Sequence, residues 1–173
     1  MLIWERSLAD AAELRRIAAG VADDSEFFVR DGGGGSVILS AAGSAHRVPA
    51  EAKQATVLFT GGKWGPDAGD WLFLVGLWTP TDYRNEFLAW YKIEHMPILL
   101  ECPIWDGCRF VEQQQVAGGC QFFALHQLAD KAALDSAERK GSRATPWFQR
   151  LSRNDWFDGK FTRTLYRRLP DMK

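Results

Sequence analysis

Residues 71–78, WLFLVGLW, are apolar at every position. Side chains alternate between the two faces of a strand, so an unbroken apolar run is covered on both faces. Pro80 ends the run, and Thr81 or Asp82 stands where a helix cap is wanted. Downstream, Phe87, Leu88, Trp90, Tyr91, His95, Ile98 and Leu99 recur at helical spacing. Pro97 predicts that this helix ends or kinks near Met96, because proline lacks the N–H and restricts the residue before it. Residues 107–113 (GCRFVEQ) and 120–128 (CQFFALHQL) read as strands joined by a glycine turn at 117–119. Asp130 caps a second helix running to about Lys140; Gly141 and Ser142 break it, and Thr145-Pro146 restarts it. Residues 160–169 (KFTRTLYRRL) read as the closing strand. The order is β-α-β-β-α-β, the ferredoxin-like split βαβ pattern, an α+β fold.

Upstream, residues 2–8 read as a strand and residues 9–22 as a helix with Leu14, Ile17 and Val21 on its apolar side. Residues 26–30 and 36–40 read as strands joined by the hairpin loop DGGGG at 31–35, and residues 55–60 as a further strand. This half is a shortened copy of the same unit, with its second helix reduced to about residues 50–54. The domains are then residues 1–60, a Gly/Pro/Asp-rich linker at 61–70, and residues 71–169. A single unit over 71–169 leaves one apolar sheet face bare. Either the first half covers that face or a second subunit does, and a homodimer is expected on the second count.

Composition narrows the function. Lys plus Arg is 21 and Asp plus Glu 22, so the basic excess of a nucleic-acid binder is missing. No apolar run reaches the length of a membrane helix, and the opening MLIWERSLAD does not read as a signal peptide. Three cysteines, Cys102, Cys108 and Cys120, fit free thiols and a cytoplasmic setting better than a disulfide framework. Their spacing offers no metal motif, and no phosphate loop or serine-hydrolase elbow is present, so neither metal nor cofactor is expected. Aromatic residues make up 13% of the chain, which supplies flat surface for a core or for a pocket holding a hydrophobic or aromatic small molecule.

Residues 87–110, FLAWYKIEHMPILLECPIWDGCRF, resemble a motif of the EthD-like branch of the dimeric α+β barrel superfamily, W-Y-x-x-E-H-x-P-x-L-L-x-x-P-G-x-x-x-x-R-[FY]. The matching residues are Trp90, Tyr91, Glu94, His95, Pro97, Leu99, Leu100, Pro103, Arg109 and Phe110. Ile104 replaces the usual glycine, and Cys108 stands where a first arginine is common. The resemblance implies two ferredoxin-like units packed sheet to sheet. Its relatives include lactone isomerases, polyketide cyclases, small quinol-type monooxygenases and haem enzymes, so fold and chemistry are not tied together.

His95 is the leading catalytic candidate. At a helix C-terminus, beside Glu94, its imidazolium would be favoured and its pKa held near neutrality, suiting proton abstraction next to a carbonyl. The competing role is a cap on carbonyls freed by Pro97. Tyr91, four residues earlier, shares its face and can assist; Trp90 is a substrate-binding or core aromatic. Arg109, His126 and Arg163 sit in otherwise apolar strand rows, where each needs a partner or a ligand. An arginine there can hold a carboxylate or enolate oxygen, and His126 reads first as a hydrogen-bonded core residue. Together these features predict a small cofactor-independent acid/base enzyme, of isomerase or lyase type, for an aromatic, lactone or polyketide-like molecule. The alternatives are a non-catalytic binding protein and a monooxygenase or haem protein on the same barrel.

Overall fold

The protein is described by a computed structural model covering residues 1–7, 14, 17, 25–40, 52–113, 116–157 and 161–169. Its strands are β1 (Leu2–Ser7), β2 (Glu26–Arg30), β3 (Gly35–Ser40), β4 (Lys53–Gly62), β5 (Trp71–Thr79), β6 (Trp105–Gln113), β7 (Cys120–Leu128) and β8 (Thr162–Arg168). They close into one barrel in the order β1-β3-β2-β8-β5-β7-β6-β4. All pairs are antiparallel. Each half of the chain repeats one spatial order, fourth-first-third-second: β4-β1-β3-β2 and β8-β5-β7-β6. The halves join edge to edge at β2–β8 and β4–β6.

The wholly apolar strand β5 lies centrally between β7 and β8, as its sequence requires. Its Leu72 and Leu74 point into the barrel with Ile3, Phe28, Val37, Leu39, Val111, Phe123 and Leu125. Its Phe73, Val75 and Leu77 point outward, under the helices of the second half. The chain's own first half therefore covers the sheet face from which a second subunit was expected. Each fully buried Leu or Phe on these faces stabilises by about 1.5–3 kcal/mol.

Some sequence expectations change. Leu14 and Ile17 are helical, but the rest of the 9–22 helix lies outside the described residues. Lys53 and Gln54 belong to β4, not to a remnant helix, and β4 runs on through Gly61 and Gly62, which were assigned to the linker. A bulge at Leu58 explains the mixed burial of β4, since Ala55 packs inside the barrel and Phe59 outside it. The helix expected from Asp130 to Lys140 is two short pieces. Asp130 caps a 3-10 turn over Lys131–Asp135, and Ser136 caps a helix over Ala137–Gly141. Thr145 caps the helix Pro146–Leu151 as its sequence predicts. No side chain caps the turn Thr81–Tyr83. No helix among the described residues is long and apolar enough to cross a membrane.

Candidate active site

Pro97 shapes the wall of the site. Helix α1 (Arg84–Trp90) passes into a π-turn over Tyr91–His95 and resumes as α2 (Met96–Leu100). The Met96 N–H reaches back five residues to the Tyr91 carbonyl. Widening the turn here accommodates a proline that has no N–H and whose ring would crowd a regular helix. The helix neither ends at His95 nor exposes its last carbonyls there. The expected C-terminal field on His95 is therefore absent, and His95 makes no side-chain N-cap to the segment Met96–Leu100 that follows.

A cavity of about 60 Å³ opens between this wall and the outer face of the second-half sheet. Phe73, Val75 and Leu77 of β5 form its floor, Tyr91, His95 and Leu99 one side, and Arg139, Arg143 and Arg163 its rim. His95 and Tyr91, paired in the sequence reading, do share this cavity, with ring centroids 5.0 Å apart. The His95 ring lies 4.6 Å from that of Trp90, and its Nδ1 is buried with no hydrogen-bond partner. Burial first, and then the Arg143 and Arg139 charges, lower its pKa to about 4 against a backbone hydrogen bond with Ser142 that raises it. This corrects the expectation of a pKa near neutrality: at pH 7 His95 is a neutral imidazole with an unpartnered nitrogen.

His126 is 2% exposed and carries two hydrogen bonds. Trp105 Nε1–H donates to its Nδ1 at 3.2 Å, and Tyr91 Oη lies 2.9 Å from its Nε2. An indole can only donate, so Nδ1 is the acceptor and the single proton of the neutral ring sits on Nε2. Nε2–H then donates to Tyr91 Oη, which leaves the Tyr91 hydroxyl proton available to a group in the cavity. Burial, then the positive charges of His95 and Arg139, hold the His126 pKa at about 3. Burial, with Cys108 nearby, raises the Tyr91 pKa well above the ordinary phenol value. His126 is thus a buried, hydrogen-bonded residue that also lines the cavity and sets the proton of the neighbouring phenol.

Two expected site residues stand elsewhere. Glu94 does not orient His95. Its Oε1 accepts from Trp90 Nε1 at 3.1 Å and from Thr145 Oγ1 at 2.6 Å, tying the π-turn to the capped end of the Pro146–Leu151 helix. Arg109 is on the opposite face of its sheet, level with Leu125 and stacked 4.7 Å over Trp64, so it does not reach the cavity. Arg163 is on the rim as the strand phase suggested, 5.4 Å over Phe161.

Trp105, Arg139 and Arg143 were not singled out from sequence. Trp105 precedes a bulge between Trp105 and Gly107 that turns it to the same face as Cys108. The one signal was Gly107 in a strand. A Cβ there would lie 2.1 Å from the Lys63 carbonyl oxygen, so only glycine allows this approach. Arg139 and Arg143 carry no local signal, since basic residues at a helix end are ordinary.

No family model and no curated protein matches the sequence. Solved structures do match in shape. An uncharacterised ferredoxin-fold protein related to antibiotic biosynthesis monooxygenases, from Listeria monocytogenes, superposes with a TM-score of 0.69 at 11% identity, covering 97% of this chain and 94% of that one. An anthrone oxidase-like protein gives 0.67 at 11% identity, covering 97% and 90%. A haem-degrading enzyme from Listeria monocytogenes gives 0.64 at 11% identity, covering 96% and 99%. The chain has the fold of these ferredoxin-fold α+β barrel proteins. At such identity the likeness concerns the fold alone.

Proposed function

We propose that the outer-face cavity is the active site of a small monooxygenase-type enzyme that oxidises an activated aromatic, such as a phenol or an aryl ketone with an acidic C–H, using O₂. The observation that carries this reading is that His95, whose buried Nδ1 has no hydrogen-bond partner, and Tyr91, whose hydroxyl is held 2.9 Å from His126 Nε2, line one cavity. Neutral His95 takes the acidic proton of the substrate, while Tyr91 O–H donates to the oxygen on which negative charge develops. The resulting electron-rich carbanion or phenolate is the species that O₂ oxidises. For a methylene carbon, one oxygen atom becomes the new carbonyl and the other leaves as water with the two hydrogens. Proton abstraction is also the first step of the isomerase or lyase chemistry expected from the sequence. The oxidase- and monooxygenase-related neighbours favour the oxidative outcome. Within the superfamily, the motif over residues 87–110 supports the EthD-like branch, and three free thiols support a reducing, cytoplasmic setting.

Haem does not fit the residues present. At about 60 Å³, walled by Trp90, Tyr91, Phe148 and Phe157, the cavity is far smaller than the pockets that enclose even drug-sized ligands. It admits the reacting edge of a ring, with the rest of the ligand lying in the mouth.

The test is oxygen uptake with a panel of phenols, naphthols and anthrones. The expected result is one O₂ consumed per substrate oxidised, strongly reduced in His95→Ala. Equal uptake by the wild type and His95→Ala on every compound would sink the proposal.

A further inference from the structure

The rim of the cavity holds an unbalanced set of charges. Arg139 comes from the helix Ala137–Gly141, Arg143 from the turn after it, and Arg163 from β8, and all three line the same mouth. Among the described residues none of them takes part in an ion pair, although the chain forms such pairs elsewhere, as Arg84 does with Glu112 and Arg168 with Glu26. Arg139 is fixed in place, since its Nη1 donates to the Leu134 carbonyl and its guanidinium lies 5.6 Å over the Phe73 ring on the cavity floor. Arg143 and Arg163 are exposed. Burial lowers the pKa of Arg139, and the charges of Arg143 and Arg163 lower it further, with Asp135 acting weakly the other way. Arg143 is lowered in the same way, by burial and then by Arg163. The three cations thus repel one another across one opening, with none of them in an ion pair among the described residues.

Like charges gathered at the mouth of an aromatic cavity destabilise the empty protein and are relieved by an anion. A guanidinium is a planar fork suited to a carboxylate, and it also stacks on aromatic faces. Behind the rim the floor and walls are apolar and aromatic.

We infer that the ligand of this cavity is an aromatic carboxylic acid, its ring edge directed at Tyr91 and His95 and its carboxylate held at the rim by Arg139, Arg143 and Arg163. This rests on the reading of the cavity as the active site and names the substrate class for it. The arginines are then specificity determinants, since an uncharged aromatic leaves their repulsion in place.

The probe is 2-naphthoate, which has no phenol to oxidise, set against its neutral counterpart 2-naphthamide. Binding is followed by tryptophan fluorescence at pH 7.5, because Trp90 and Trp105 line the cavity. Wild-type protein should bind the carboxylate at least tenfold more tightly than the amide, and added salt should weaken only the carboxylate. The exposed pair in R143Q/R163Q should lose that preference while the thermal midpoint stays at or above that of the wild type, because repulsion at the rim is relieved. Equal affinities in the wild type, no carboxylate binding at millimolar concentration, or a preference kept in R143Q/R163Q would each overturn the inference. A protein without anion preference that still oxidises neutral phenols overturns the anion site and leaves the oxidation reading standing. Anion preference with no oxidation of any aromatic does the reverse.

Discussion

The two faces of the sheet formed by β5 to β8 are built from the same strands and nearly the same residue types, yet they do different work. The inner face, with Leu72, Leu74, Phe123, Leu125 and Tyr166, meets the sheet of the first half and makes the dry centre of the barrel. The outer face, with Phe73, Val75, Leu77, Phe122 and His126, lies under short, broken helices that leave a cavity. Polar residues entering the inner rows are spent on architecture. Gln127 accepts from the Gly65 N–H at 2.8 Å and donates to the Gly65 carbonyl at 3.0 Å, pinning the segment before β5, and Arg109 stacks on Trp64. Those entering the outer rows, His126 and Arg163, converge on one opening. The difference comes from the covering layer. A second sheet matches the pleat along its whole length, whereas helices interrupted at Pro97, Ser136 and Thr145 do not.

Substitutions on the two faces should separate activity from stability. The largest effect expected is on the outer side. His95→Ala should lower turnover by ~10²–10⁴-fold, with little loss of stability. His95→Asn should be as impaired, because it keeps hydrogen-bonding capacity without a base. Full activity in the Asn variant, measured by oxygen uptake, would return His95 to a structural role. On the inner side, Leu125→Ala should cost about 2–5 kcal/mol in urea unfolding, because Leu125 is fully buried in the barrel. Ligand affinity of the folded protein should be unchanged, and a parallel loss of binding would break the comparison.

Acid should strike through the outer face. His95 and His126 stay neutral when folded down to about pH 4 and about pH 3, while the unfolded chain takes up both protons near pH 6.5. Their folded pKa values are depressed, so stability is fully present above about pH 6.5. It then falls with pH until each folded ring is protonated, at about 1.4 kcal/mol per pH unit per ring. Thermal melts from pH 7.5 to 4 should show this decline, and His95→Phe should flatten part of it; an unchanged slope would mean that His95 is not desolvated. His126→Leu should cost about 1–3 kcal/mol by leaving the Trp105 N–H without an acceptor and the Tyr91 hydroxyl oxygen without its donor. The smallest effect is expected at the bracket. Thr145→Val should lose about 1 kcal/mol of cap stability without moving the pH profile of turnover. A shifted profile would restore the link from this bracket to His95.

Sequence alone determined the double coverage of β5, the β-α-β-β-α-β order of the second half, and the cap and proline that start the helix Pro146–Leu151. Each is local: alternation, a proline, or a cap is written in consecutive residues. It also paired Tyr91 with His95, because four residues along one helical run stay on one side even through a π-turn. Only the tertiary structure decided that the chain closes its own barrel, since nothing in a strand names the edge it pairs with. Bulges at Leu58 and before Gly107 shifted strand phase without a strong sequence mark, and one of them brought Trp105 to His126. The direction of the His95 pKa was decided the same way. Neighbours in sequence argued for an imidazolium, but burial and two arginines more than forty residues downstream made the neutral ring the stable one.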